Sequence, residues 1–153
     1  METKLILYVE DNPLDIELTL EALAENKIAN PIAVVRDGIE ALKYLRCEGP
    51  FKDRQAKNPS MILLDLKMPR MDGLEFLAIV KKDAKFKHIP VIMLTSSWEE
   101  KDLIKGYDLG VNAYVVKPID FTSLIDIVKQ LGIFWLIINE LPPERKGTYG
   151  LRK

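Results

Sequence analysis

The amino-acid sequence predicts a doubly wound α/β fold built on a five-stranded parallel sheet, and three observations support this prediction. Five short apolar runs recur along the 153-residue chain. Longer segments that carry helix-capping residues separate these runs. The runs themselves lack the alternation of apolar and polar residues, as expected for strands of a parallel sheet that is covered by helices on both faces.

The five runs are the predicted strands. The first, over residues 5–9, is too short for a helix and is followed by two acidic residues. The others lie at residues 32–35, 61–64, 90–94 and 113–116. Because each strand is followed by a helix, right-handed crossovers should make all five strands parallel and bring their carboxyl ends to one edge of the sheet.

The first three helices have recognisable beginnings. Asn12 is a candidate N-cap for a helix that begins at Pro13. Asp37 and Asp72 are each followed three residues later by a glutamate. This is the spacing of a capping box, so we predict that helices 2 and 3 begin there.

The later part of the chain has weaker signals. Ser96 or Ser97 is expected to cap a fourth helix that ends near Gly110. A fifth helix is predicted to begin near Asp120. Between helix 2 and strand 3, the polar residues 47–60 include one glycine and two prolines, which is typical of a surface loop.

Composition narrows the function classes. Hydrophobic residues make up 48% of the chain and charged residues 29%, which favours a globular protein over a disordered one. With 22 basic and 23 acidic residues, the net charge of −1 disfavours a nucleic-acid partner. The single Cys47 fits a reducing compartment. No apolar run is long enough for a membrane span, and the first residues lack a signal-peptide layout. We therefore expect a cytoplasmic protein that binds no membrane.

The domain organisation follows from length and from the final helix. We predict one domain over residues 3–139 with an extended final helix, and a polar, mobile tail over residues 140–153. Eight of the eleven residues in 131–141 are large and apolar, which exceeds one buried stripe. This favours a symmetric homodimer through helix 4, strand 5 and helix 5, with Phe134 and Trp135 as anchors. The alternative is local core packing with shielding by the tail.

Carboxylate, hydroxyl and ammonium side chains that suit one binding site follow four of the five predicted strands. Glu10 and Asp11 come after strand 1, Asp65 after strand 3, Thr95 after strand 4 and Lys117 after strand 5. In parallel α/β sheets, ligands bind at the carboxyl ends of the strands. These side chains are therefore expected to meet at one site.

The residue types indicate phosphoryl chemistry. Three neighbouring carboxylates repel one another unless a cation lies between them, and Mg²⁺ prefers oxygen ligands. A threonine hydroxyl and a lysine ammonium suit the oxygens of a phosphoryl group. A carboxylate can itself be the nucleophile and form an aspartyl-phosphate. Each residue alone also fits a helix cap or a turn, and it is their combination that favours a site.

Four ordered motifs carry a family resemblance. They are VED at residues 9–11, LLDLKMPRMDG at 63–73, MLTSS at 93–97 and AYVVKP at 113–118. With these motifs, the sequence resembles the receiver domain of two-component response regulators over about residues 3–130. The resemblance implies a flavodoxin-like receiver fold with strand order 2-1-3-4-5.

The resemblance also implies a metal-dependent phosphoacceptor. Asp65 matches the phosphoacceptor of the family. Asp11 matches a direct ligand of Mg²⁺, and Glu10 matches the acid that reaches the ion through water. Asp65 and the backbone carbonyl of Lys67 complete the implied metal ligands.

Further residues match the family's switch. Thr95 and Lys117 match the groups that bind the phosphoryl oxygens, and Tyr114 matches an aromatic side chain that changes rotamer together with the threonine. The bond between Lys117 and Pro118 is typically a cis peptide in the family.

The implied function is that of a single-domain response regulator. It would accept a phosphoryl group from a sensor histidine kinase and switch protein–protein interactions, with no enzymatic activity beyond its own phosphorylation and dephosphorylation. The segments 9–23 and 34–46 are similar to stand-alone regulators of bacterial phytochrome-type kinases. A phosphohydrolase of the haloacid-dehalogenase kind is the alternative, but that chemistry needs a carboxylate where this chain has Lys67. We also hypothesise that Lys67 slows autodephosphorylation.

Overall fold

The computed structural model describes residues 4–28, 30–117 and 120–132 of the chain. In these residues, five strands alternate with five α-helices. The strands are β1 (Ile6–Val9), β2 (Ile32–Val35), β3 (Met61–Leu64), β4 (Val91–Thr95) and β5 (Ala113–Val116). The helices are α1 (Pro13–Glu25), α2 (Gly38–Arg46), α3 (Gly73–Lys82), α4 (Glu100–Asp108) and α5 (Phe121–Gly132).

The strands form one parallel sheet in the order β2-β1-β3-β4-β5. Both the fold class and the strand order are confirmed. In the centre of the sheet, Val9 of β1 lies opposite Leu64 of β3. The residues that follow these two positions, Glu10 and Asp65, are therefore neighbours at the carboxyl edge. This register places the candidate site.

The sheet is buried on both faces, which explains its uniformly apolar strands. Leu7 and Val9 of β1 belong to the core that is covered by α2 and α3. Ile6 and Tyr8, which point to the opposite face, belong to the core that is covered by α1 and α5. The four side chains of β1 have no exposed surface.

The predicted beginnings of α1 and α3 are confirmed. The side chain of Asn12 accepts hydrogen bonds from the backbone N–H groups of Leu14 and Asp15. Asp72 and Glu75 form a complete capping box at α3. At α2, Asp37 accepts from Glu40 N, as predicted.

The capping box predicted at Asp37 is wrong in its second half. Glu40 Oε1 accepts a hydrogen bond from the backbone of Arg36 rather than from the backbone of Asp37. The backbone of Asp37 is extended on both sides of its Cα, which is the usual geometry of an N-cap.

The predicted serine cap of α4 is also wrong. Helix α4 begins at Glu100, and its N-cap residue Glu99 makes no side-chain capping bond. The hydroxyl of Ser97 instead donates to Asp102 Oδ2 at 2.6 Å. The prediction that α4 ends near Gly110 is confirmed, because the helix ends at Asp108. The predicted beginning of α5 near Asp120 is also confirmed, since the Asp120 carboxylate accepts a hydrogen bond from Ser123 N.

Residues 47–60 form the predicted loop, and it is ordered by Arg54. The guanidinium group of Arg54 lies 4.0 Å from the centre of the Tyr44 ring. It also donates hydrogen bonds to the backbone carbonyls of Tyr44 and Lys57. One arginine thus ties the loop to α2.

Several predictions concern residues outside the described ranges. These are the peptide bond before Pro118, the anchors Phe134 and Trp135, the end of the domain at residue 139 and the tail over residues 140–153. Among the helices that the structure describes, none has the length and apolar character that crossing a membrane requires.

Candidate functional site

The structure brings the three predicted carboxylates together at the carboxyl edge of the sheet. One carboxylate oxygen from each of Glu10, Asp11 and Asp65 lies within 4.8 Å of the others. Glu10 and Asp65 are buried, and Asp11 is half-buried. Backbone hydrogen bonds fix two of them, because Glu10 N donates to Val35 O and Asp65 N donates to Val9 O. The cluster is thus built by the sheet itself.

Burial makes this cluster electrostatically costly. It raises the pKa of Glu10 to about 7, and the Asp65 carboxylate acts in the same direction, although the hydrogen bond from Lys117 opposes both. Oxygen ligands with excess negative charge are the donor set that a hard divalent cation prefers. The residues present therefore fit a divalent metal ion.

Lys117 lies at the side of the cluster, as predicted. Its Nζ is 2.6 Å from Glu10 Oε1, 2.8 Å from Asp15 Oδ2 and 4.0 Å from Asp65 Oδ1. Burial lowers the pKa of this ammonium group, but the hydrogen bonds to Asp15 and Glu10 outweigh it, and the net shift is upward. Lys117 is therefore firmly protonated.

Asp15 is a site residue that the sequence analysis missed. It lies in the first turn of α1, where acidic residues are common because they interact favourably with the helix dipole. It is the third residue after the N-cap Asn12, in the helix that follows the carboxyl end of β1. That spacing is the signal that would have found it.

Thr95 and Tyr114 meet at the segment that follows β4. Thr95 is the last residue of β4 and is buried, and its Oγ1 accepts a hydrogen bond from Ser97 N at 3.3 Å. The Tyr114 hydroxyl donates to Ser97 O at 3.0 Å. A side chain at Gly106 would contact the Tyr114 ring, with its Cβ 3.2 Å from Cδ2. Tyr114 therefore links β5, α4 and the segment after Thr95.

The segment that follows Asp65 is held by a tight backbone approach. Gly73 N donates to Leu66 O at 2.7 Å, and a Cβ atom at Gly73 would lie 2.3 Å from Asp65 O. Only glycine fits here without a backbone shift. The glycine of the MDG sequence thus lets α3 begin directly against the backbone of Asp65.

A second missed contact anchors the same segment. Arg70 has a left-handed φ of 63°, and its Nε and Nη2 both lie 2.7 Å from Asp37 Oδ2. Asp37 is buried, and it lies before α2. This ion pair connects the segment after β2 to the segment after β3.

The side chain of Lys67 lies near the start of α4. Its Nζ lies 3.8 Å from Glu99 Oε1, and both side chains are largely exposed. Among the described residues, the side chain of Lys67 makes no closer ion pair. Lys67 is the second residue after Asp65 in the sequence.

Comparison with known proteins identifies the family. The profile described as the response regulator receiver domain matches residues 6–129. The chain is 38% identical over 139 residues to the response regulator Rcp1 of Synechocystis sp., and the match covers 91% of this chain and 93% of Rcp1. The chain belongs to the response regulator receiver family.

Solved structures agree with this assignment. The phosphorylated cyanobacterial phytochrome response regulator RcpA superimposes with a TM-score of 0.85 at 44% identity, over 93% of this chain and 100% of RcpA. The bacteriophytochrome response regulator RtBRR superimposes with a TM-score of 0.76 at 53% identity, over 93% of this chain and 86% of RtBRR. The predicted similarity to phytochrome-associated regulators is confirmed.

Family membership establishes the coarse function. The protein is a receiver-domain response regulator of two-component signalling, a signal transducer whose partner is a histidine kinase. Receiver domains bind a divalent metal ion, and the structure of Rcp1, which covers 92% of this chain with a TM-score of 0.82, is of a Mn²⁺-bound form. The acidic cluster of this chain is in keeping with that property.

Proposed function

We propose that Asp65 accepts a phosphoryl group from a phytochrome-type sensor histidine kinase in a Mg²⁺-dependent reaction, and that this switches protein–protein interactions. One observation carries the proposal. The Asp65 carboxylate lies at the carboxyl edge of the sheet with two further carboxylates within 4.8 Å and the Lys117 ammonium at 4.0 Å. The similarity to RcpA and RtBRR supports the phytochrome-type partner.

The proposed metal-binding groups are the carboxylates of Asp11 and Asp65, the backbone carbonyl of Lys67 and, through water, the carboxylate of Glu10. When bound there, Mg²⁺ supplies positive charge that offsets the negative charge of the transferring group. The carboxylate set is favourable for this role because its three acids are otherwise mutually repulsive.

The chemistry is a substitution at phosphorus. A carboxylate oxygen of Asp65 forms the new P–O bond while the P–N bond to the phosphohistidine breaks, and the imidazole of the kinase leaves. The Lys117 ammonium and the Thr95 hydroxyl are proposed to bind the phosphoryl oxygens. Water later attacks the phosphorus, the P–O bond to Asp65 breaks, and inorganic phosphate leaves the regenerated carboxylate; we propose no other reaction.

Lys67 is proposed to slow that hydrolysis. Lys67 follows β3 and Glu99 follows β4, and the Lys67 Nζ lies 3.8 Å from Glu99 Oε1. A side chain there obstructs the approach of water to the phosphoryl group. Lys67→Asn should therefore hydrolyse faster in a timed loss of label, and an unchanged or slower rate would remove this role from Lys67.

The proposed output surface lies on α4, β5 and α5. Binding of the phosphoryl group by Thr95 would shift the segment that also bonds Tyr114, and so alter this surface. Exposed apolar side chains already lie on it, namely Leu103, Ile104, Tyr107 and Val116. They support the proposed homodimer, for which Phe134 and Trp135 are the proposed anchors.

The remaining proposals concern organisation and location. We propose a receiver domain over residues 3–139, with a separate polar tail over residues 140–153. The near-neutral charge supports an output through proteins rather than nucleic acids. We further propose a cytoplasmic location, where a histidine kinase presents its phosphohistidine, and a cis peptide bond between Lys117 and Pro118.

Transfer from a phosphorylated kinase tests the function. A radiolabelled phytochrome-type histidine kinase is incubated with wild type and with Asp65→Asn, each with Mg²⁺ or with a chelator. We expect rapid transfer of the label to wild type only, and only when Mg²⁺ is present. Labelling of Asp65→Asn, or equal labelling in the chelator, would contradict the proposal.

A further inference from the structure

Lys117 has two anionic partners at hydrogen-bond distance, and one of them lies outside the carboxylate cluster. Its Nζ is 2.6 Å from Glu10 Oε1 and 2.8 Å from Asp15 Oδ2. Glu10 belongs to the cluster with Asp11 and Asp65, whereas Asp15 does not. The Asp15 side chain is 32% exposed, and that of Lys117 is 12% exposed. Asp15 is thus more exposed than Lys117, and it is linked to the carboxylate cluster through the Lys117 ammonium group.

We propose that Asp15 is a positioning residue, which holds the Lys117 ammonium in place before a phosphoryl group reaches Asp65. This inference rests on the proposed function of Asp65. An ammonium group has three N–H donors, and among the described residues Glu10 and Asp15 accept from two of them. At 4.0 Å, Asp65 Oδ1 is too distant to accept from the third. That donor is left for an oxygen of a group attached to Asp65.

Asp15 is itself rigidly held, which a positioning residue requires. Its backbone N–H donates to the Asn12 side chain at 3.2 Å. Its carbonyl oxygen accepts from the hydroxyl of Tyr8, a residue with no exposed surface, at 3.3 Å. The capped start of α1 and the centre of the sheet therefore both fix the position from which the carboxylate extends.

Glu10 alone would be a poorer anchor for the lysine. Glu10 is also proposed to bind the metal ion through water, so its charge is shared once a cation is bound. A lysine side chain is flexible, and fixing it costs conformational entropy. With Asp15 as a second partner, the lysine side chain loses its conformational freedom before the reaction and not during it. This favours phosphorylation.

The test compares Asp15→Asn and Asp15→Ala with Glu17→Gln. Glu17 is exposed on the same helix, so its substitution removes the same charge without a contact to Lys117. Acetyl phosphate is the phosphoryl donor, because a small molecule makes no use of a kinase-docking surface on α1. Asp15→Asn should slow phosphorylation and weaken beryllofluoride binding about threefold to tenfold. Asp15→Ala should do so by more, since asparagine keeps an acceptor, and Glu17→Gln should match wild type.

A double-substitution cycle separates positioning from a structural effect. In a Lys117→Ala background, Asp15→Asn should cause no further loss, because Asp15 acts through Lys117. The inference would be overturned if Asp15→Asn caused the same loss with Lys117→Ala as it does in wild type, or if Glu17→Gln caused that loss. Faster phosphorylation of Asp15→Asn than of wild type would also overturn it.

A second measurement keeps the inference separate from the proposed function. The Lys117 ammonium resonance is recorded by ¹⁵N NMR of protein without any phosphoryl donor. We expect a protected signal in wild type and in Glu17→Gln that broadens in Asp15→Asn. A signal unchanged by Asp15→Asn would overturn the positioning role, whereas a wild type that takes up no phosphoryl group would overturn only the function of Asp65.

Discussion

Helices α3 and α4 cover the same face of the sheet, but they are built differently. Helix α3 begins with a complete capping box and buries Phe76, Leu77 and Val80. Helix α4 has no side-chain cap, and Gly106 is its one buried residue. The adjoining strands repeat the contrast, because β3 is buried at each position and β5 at none.

This contrast separates a scaffold from a surface. The α3 side fixes the backbone around Asp65, since Gly73 packs against the carbonyl of Asp65 and Arg70 pairs with Asp37. The α4 side exposes apolar groups, and among the described residues Thr95 and Tyr114 link the start of α4 to the site. A receiver needs both properties, since the site must stay in place while the output face changes.

Truncation of one apolar side chain in each helix should give the largest difference in the free energy of unfolding. Phe76→Ala removes a fully buried ring and should lower the free energy of unfolding by about 3–5 kcal/mol. Ile104→Ala removes a side chain that is 53% exposed and should change that energy by less than about 0.5 kcal/mol. Urea denaturation measures both. Similar losses at the two positions would show that α4 is as much a part of the core as α3.

Substitution of the N-cap residues should give a smaller difference in the free energy of unfolding, and α3 should again lose more stability than α4. Asp72→Ala removes the capping box of α3 and should cost about 1 kcal/mol of stability. Glu99→Ala at the equivalent position of α4 removes no capping bond but two exposed ion pairs, with Lys67 and Lys101, and should cost about 0.5 kcal/mol or less. The same denaturation experiment measures this pair. A costly Glu99→Ala would contradict the assignment of α4 as an uncapped helix.

The smallest expected effect concerns pH and the anchor of the α3 side. Burial opposes ionisation of Asp37, but hydrogen bonds from Glu40 N and Arg70 outweigh it, so its pKa is lower in the folded protein. A lowered pKa contributes stability above the unfolded value, and this contribution is lost as the pH falls through the folded value. Wild type should thus exceed Asp37→Asn in stability near neutral pH. The gap should narrow below about pH 4, and a gap that widens there would contradict the ion pair.

The sequence predicted the positions of the strands and of the site because both depend on local patterns. In a parallel sheet, ligand-binding side chains follow directly after the apolar runs that form the strands. Glu10, Asp65 and Lys117 could therefore be found without any information on tertiary contacts. Thr95 was found in the same way, and the motif resemblance then supplied the role of Tyr114, which no single spacing indicates.

Contacts that depend on tertiary neighbours were not predictable in this way. Asp15 and Ser97 both read as residues of a helix start, yet one pairs with Lys117 and the other donates to Asp102. The pairing of Arg70 with Asp37 joins loops that are far apart in sequence. A short polar side chain has several local partners of similar energy, and the fold decides among them.

Hydrogen–deuterium exchange with and without beryllofluoride and Mg²⁺ tests the account most directly. In wild type, exchange in peptides that span β4, α4 and β5 should change when the phosphoryl mimic binds. Peptides that span α2 and α3 should not change, and Asp65→Asn should show no response anywhere. A response centred on α2 and α3, or one of equal size in Asp65→Asn, would contradict the division of this receiver into a fixed site and a changeable output face.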